Sequence, residues 1–144
     1  MRAELAAAFR EEMKKARAAW ANGDIKTCFR CLERAHVLGQ RNLWPHILTH
    51  AWMLRVGWRQ RDYREVFGQI LRLAATVPGA LTGWVPAGNT GGANVSALRR
   101  MPIPAEFRPY FADQSMLRSV LIRLSAIALL VVLAITGTNI LAAV

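Results

Sequence analysis

"NGDIKTCFRCLERAHVLGQRNLWPHILTHAWMLR", Asn22 to Arg55, decides the fold. Asn22-Gly23-Asp24 is a turn signal, and Asp24 is a good N-cap for a helix starting at Ile25. Apolar residues then recur at helical spacing to Leu38, and Gly39 suits the position just past a helix end. After a few polar residues, Trp44-Pro45 opens a second helix, with proline in the first turn, where its missing N–H costs nothing. Two helices joined by so short a loop must be antiparallel neighbours.

On either side of this hairpin the same grammar repeats. Residues 2–21 are rich in Ala, Glu, Lys and Arg and carry Leu5, Phe9, Met13, Ala16 and Trp20 on one helical face. "RQRD" at 59–62 is a turn, Asp62 caps a fourth helix from Tyr63, and "VPG" at 77–79 is expected to close it near Thr76. "NGDIKTCFRCLERA" and "QRDYREVFGQILRL" align at an offset of 38, pairing Asp24 with Asp62, Ile25 with Tyr63 and Leu32 with Ile70. The expected fold is all-α: antiparallel helical hairpins, tetratricopeptide-like or a four-helix arrangement, over residues 1–78.

Residues 79–117 change composition to Gly, Pro, Asn and Ser, yet keep Leu81, Trp84, Val85, Val95, Leu98, Met101, Ile103 and Phe107. That is too apolar for a free linker, so an ordered Gly/Pro-rich strap packing on the helices is expected. Residues 118–144 are read as a C-terminal transmembrane helix. Leu124 to Val144 has no charged side chain and would span about 31 Å. Leu124, Val131 and Val144 mark the start, middle and end of this anchor, and Arg118 and Arg123 flank its N-terminal side. The positive-inside rule then gives a single-pass inner-membrane protein with its N-terminal domain cytoplasmic. Membrane lipid is the implied partner, and small residues in this helix allow a homo-oligomer.

Nineteen Lys and Arg against nine Asp and Glu give a net charge of +10. Such a surplus suits nucleic acid, an anionic membrane surface or an anionic ligand. The basic residues are scattered and no nucleic-acid-binding motif accompanies them, so nucleic acid is not expected as a partner. Cys28 and Cys31 form a C-x-x-C with no strand before it and are read as core thiols. Of the five tryptophans, Trp44, Trp52 and Trp58 fall on one helix and are assigned to packing.

"HVLGQR", "PHILTHAWMLR", "RDYREVFGQ", "PAGNTGGANVS" and "MPIP" together resemble an uncharacterised bacterial family, domain of unknown function family 3703, over about residues 5–110. The resemblance implies no established activity, and the apolar tail lies outside it.

All three histidines, His36, His46 and His50, fall within fifteen residues. His46 and His50 at i, i+4 share a helix face, as do Glu33 and His36 at i, i+3. Across the hairpin mouth His36 can meet His46, and one turn deeper Glu33 can meet His50. The expected site is Glu33, His36, His46 and His50 around one divalent transition metal, Zn or Fe, with Gln40, Gln69 and Glu65 as supporting hydrogen-bonders. Two alternatives remain open at this level: helix-end and core histidines with no ligand, or metal-free acid–base or ligand contact. Gly88, Asn89, Thr90, Gly91 and Gly92, with Arg99 and Arg100, form a candidate anion or ligand loop; the alternative is that the glycines serve tight turns. Two functions are compatible with these features. One is a membrane-anchored helical protein with a His/Glu site for a metal or small ligand, open to catalysis. The other is a tetratricopeptide-like adaptor recruiting a protein partner at the cytoplasmic membrane face.

Overall fold

Capping residues set the helix boundaries. Asp24 Oδ1 accepts from the Thr27 N–H at 3.0 Å and Asp62 Oδ1 from the Glu65 N–H at 3.0 Å. These caps open the second and fourth of the helices α1 (Ala3–Ala21), α2 (Ile25–Gly39), α3 (Leu43–Gln60) and α4 (Tyr63–Thr82). A 3-10 helix, Ala105–Phe111, and a last helix α5, Met116–Ala142, complete the chain's regular elements. The computed structural model describes residues 1–111 and 116–142, with side chains described for 1–111 and 120–136. Among the described residues every regular element is helical.

The main packing runs between successive helices, α1 on α2, α2 on α3 and α3 on α4. The core joins Leu5, Phe9 and Met13 of α1 to Cys28, Leu32, Ala35 and Leu38 of α2 and Met53 and Val56 of α3. Both cysteines are free and buried, and burial pushes their thiols up, as inert core groups require. Trp20 and Trp52 meet edge to face at 6.0 Å across α1 and α3.

Gly39 does not act as a left-handed cap. It is the last residue of α2, and the chain continues right-handed at Gln40. Its role is steric: a Cβ there would lie 2.8 Å from Pro45 Cβ and 2.9 Å from Phe9 Cε2. The α2–α3 hairpin closes because that Cβ is missing.

α4 differs from its sequence-based outline in two ways. It runs through Pro78 to Thr82, where Gly83, at φ 73°, ends it. Its orientation also inverts the usual pattern. Glu65, Gln69 and Thr76 are buried, whereas Phe67, Ile70 and Leu71 are 62%, 51% and 54% exposed. The alignment of Leu32 with Ile70 therefore has no structural counterpart, since Leu32 is fully buried.

The strap leaves α4 at Gly83, runs back along α2 and α4, with Gly92 near Phe29, Gly91 near His36 and Ala93 near Gly68, and is pinned at its far end. Phe107 of the 3-10 helix enters the α1–α2 core, with Arg34 over its ring at 4.5 Å. Arg34 bridges Glu12 at 3.2 Å and Glu106 at 2.7 Å, which ties strap, α1 and α2 together. Of the other apolar strap residues Val85 is buried, whereas Trp84 and Leu98 stay exposed.

The C-terminal segment corrects an expectation. No helix among the described residues is long and apolar enough to cross a membrane. This overturns the C-terminal transmembrane helix and the single-pass inner-membrane location. The first described turns of α5 belong to the bundle: Val120 and Arg123 lie against Gly83, and the Arg123 guanidinium donates to the Ala80 carbonyl. Leu124 and Val131 are half exposed, and Val144 lies outside the described residues.

Gly39→Ala is expected to destabilise the protein by about 1–3 kcal/mol, because the new methyl overpacks the hairpin mouth. Urea denaturation of the variant and wild type checks this; a difference under about 0.5 kcal/mol would show that the mouth yields freely.

Candidate metal centre

His36 lies in the last turn of α2, and His46 and His50 occupy the first two turns of α3. Because the helices are antiparallel, side chains on α3 lean toward the hairpin mouth and those on α2 lean away from it. The His50 ring therefore reaches back to the other two. His36 Nε2 is 3.2 Å from His50 Nε2, which is 3.0 Å from His46 Nε2. The three rings pack at centroid distances of 4.7–4.8 Å, and all three residues are buried. Among the described residues, this is the one cluster of His, Cys, Asp or Glu that could hold a metal ion.

The same leaning separates Glu33 from them. It is half-buried, its carboxyl raised first by burial and then by Glu65, with Thr90 opposing. The structure thus assembles three of the four expected ligands and leaves Glu33 outside the cluster.

Hydrogen bonds settle where the imidazole protons sit. His36 Nδ1 lies 2.8 Å from the Asn89 carbonyl, which can only accept, so Nδ1 carries the proton. His50 Nδ1 lies 2.6 Å from Gln69 Oε1. The Gln69 amide cannot be turned over, because its Nε2 donates to Glu65 Oε1 at 2.6 Å and to the Gly91 carbonyl at 2.8 Å. His50 therefore also donates from Nδ1. Both rings present bare Nε2 lone pairs toward each other and toward His46.

Charging is disfavoured at all three rings, so the Nε2 pair of His36 and His50 stays without a proton between them. Burial, aided by the other rings and Arg72, pushes His36 well below the usual imidazole range. Burial likewise lowers His46 to about 3, with His50 and Arg72 adding to it. His50 is lowered to about 4, again chiefly by burial, against the opposing bond to Gln69.

The strap closes the site from above. Gly91, at φ 84°, lies so near His36 that a Cβ would be 2.7 Å from the ring. Asn89 holds the loop, accepting from the Gly91 N–H and donating to the Ser96 and Arg99 carbonyls. Gly88 passes beneath the Met101 carbonyl with no room for a side chain. The loop turns the Asn89 carbonyl toward His36 and the Gly91 carbonyl toward Gln69, and the Ala93 N–H is taken by Glu65 Oε2 at 2.9 Å. Its glycines thus serve close approach and turning. Arg99 and Arg100 are exposed.

On its remaining side the cluster borders a cavity of about 300 Å³. All three histidines line it, with Gln40, Arg72, Trp84, Val85 and Leu98 among the other walls. Arg72 donates to the carbonyls of Gly92 and Val95, so its charge is held at the wall.

A family model matches residues 3–111, described as Protein of unknown function (DUF3703). The chain belongs to this family. The match takes in all three histidines, α1–α4, the strap and the 3-10 helix, and it stops before α5. No curated protein and no solved structure matches the chain.

Sequence reasoning passed over Arg72 and the Asn89 carbonyl. For Arg72 a signal existed: Glu65, Gln69, Arg72 and Thr76 run at i, i+4, i+7 and i+11, a polar stripe on an otherwise apolar helix. A backbone carbonyl leaves no trace in a sequence.

The protonation pattern is open to two measurements. In imidazole ¹⁵N correlation spectra of the metal-free protein, His36 and His50 should both show the Nδ1–H tautomer; Nε2–H signals for either would break the assignment. The rings are neutral in the fold but titrate near 6.5 when unfolded, so the unfolded chain binds more protons between about pH 4 and 6.5. Stability of the chelated protein should hold above pH 6.5 and fall as the pH drops toward 4. Equal urea midpoints at pH 7.5 and 5.0 would mean that the folded rings take up protons.

Proposed function

We propose that this is a metal-binding protein in which His36, His46 and His50 hold one divalent transition metal ion through Nε2, leaving one coordination position open to the cavity. The observation that carries this reading is the meeting of bare lone pairs. The Nε2 lone pairs of neutral His36 and His50, buried and 3.2 Å apart, repel one another unless a cation stands between them. Ligand nitrogens about 2.0–2.1 Å from an ion at tetrahedral angles lie roughly 3.3 Å apart, close to the 3.2 and 3.0 Å from His50 Nε2 to the other two; all three lie within 4.8 Å of one another, so the ion would draw the rings together. The Nδ1–H bonds to Asn89 and Gln69 are the outer-shell partners that orient metal-binding histidines.

Imidazole-only ligation favours zinc, with iron the alternative. Three protein ligands and a free fourth position are the pattern of a site that acts on a ligand. Such an ion would serve as a Lewis acid on a molecule small enough for the cavity.

Protein made without a polyhistidine tag should carry about one equivalent of metal, or take it up on dialysis against Zn²⁺. His50→Ala should reduce this below a tenth of an equivalent. Wild-type protein that stays below a tenth after dialysis against both Zn²⁺ and Fe²⁺ would refute the proposal.

A further inference from the structure

Gln40 presents a buried oxygen with no partner. The residue is 3% exposed and lines the same cavity as the histidines. Its Nε2 donates to the Val37 carbonyl at 3.3 Å, which fixes the amide so that Oε1 is the free end. That Oε1 has no hydrogen-bond partner in the protein. Burying a carbonyl without a donor costs about 1–3 kcal/mol, so a bare acceptor on a residue that lines a cavity calls for a donor on whatever fills it. Gln40, the right-handed residue that caps α2, comes four residues after His36, about one turn beyond the histidines.

The other polar side chains of the cavity make no such demand. Thr76 donates to the Arg72 carbonyl and Thr82 to the Pro78 carbonyl. The Asn89 amide is fully engaged with Ser96, Arg99 and Gly91. Arg72 contributes fixed positive charge at the wall. The nearby acid Glu65 has both carboxylate oxygens committed, to Gln69 and to the Ala93 N–H. With a divalent ion present the head of the cavity carries excess positive charge, while Val85, Pro86, Ala97 and Leu98 make the remainder apolar. The cavity volume is about 300 Å³.

We infer that the cavity takes a small amphipathic anion whose metal-binding head keeps one O–H or N–H, which it donates to Gln40 Oε1, while an apolar body fills the space toward Val85 and Leu98. N-hydroxyamides and 2-hydroxycarboxylates have such a head; simple carboxylates have the charge and lack the donor. Gln40 is a specificity residue for this ligand. This inference depends on the metal reading above, and the experiment separates the two.

The full chain is loaded with Co²⁺, metal content is measured, and the visible cobalt bands are monitored on titration with benzohydroxamate, N-methylbenzohydroxamate and benzoate. Wild-type protein should bind benzohydroxamate about tenfold more tightly than its N-methyl analogue, the worth of one buried hydrogen bond. In Gln40→Met, which keeps the volume and removes the acceptor, benzohydroxamate should weaken about tenfold. The gap to the N-methyl compound should close and benzoate should be unchanged. The comparison within wild type stands even if the variant folds poorly. Failure to take up cobalt would overturn the metal reading and this inference with it. Uptake of one equivalent, with no spectral response to any probe, overturns the inference alone. So does uptake with benzohydroxamate and its N-methyl analogue bound within twofold of each other in wild type.

Discussion

The bare Nε2 lone pairs of His36 and His50, buried and 3.2 Å apart, with His46 Nε2 3.0 Å from that of His50, are the constraint around which this molecule is organised. Like dipoles meeting head-on in a low dielectric are unfavourable, and burial also denies the rings the proton that would relieve them. The surrounding residues act together as a device for holding the arrangement. Asn89 and Gln69 keep the Nδ1 protons outward, and Glu65 and the Gly91 carbonyl fix the Gln69 amide. Glu65 in turn is anchored by the strap N–H of Ala93. Each link is a hydrogen bond between buried groups, where a lost partner is costly.

That chain of bonds explains why α4 is inside out. A helix in a stacked hairpin normally buries its apolar stripe. Here the inward stripe must supply Gln69, Glu65 and Arg72, so Phe67, Ile70 and Leu71 are left outward. It also explains the strap. The site needs backbone carbonyls at defined positions, and a glycine-rich segment lets the main chain come close enough to supply them. Arg34, Glu12, Glu106 and Phe107 then hold the far end of that segment to the core.

The helical hairpins are legible in the sequence because caps and periodicity are local. Asp24 and Asp62 act within three residues of themselves, and Leu5, Phe9, Met13 and Ala16 are buried as their spacing requires. Local reasoning failed where the surroundings decide. Gly39 looks like a left-handed cap and is a contact point with Phe9 and Pro45. Pro78 looks like a helix end and sits inside α4, which runs on to Thr82. The apolar tail looks long enough to cross a bilayer, yet its first described turns pack on α4, and no described helix meets the requirement.

From the order of residues alone, three histidines must lie on two antiparallel helices near one hairpin mouth, since i, i+4 spacing and a short loop permit little else. Gln69 and Glu65 are also among the candidates at that level. The folded chain adds that the histidines converge without Glu33, because the direction in which side chains lean on each helix selects between ligands one turn apart. The tautomers belong to the fold as well, since they depend on a carbonyl 53 residues away and an amide 19 residues away. So does the oxygen of Gln40, left without a partner beside an apolar cavity. Donor and acceptor balance in a buried site is a property of the assembled chain, because each group is satisfied or left bare by residues distant in sequence.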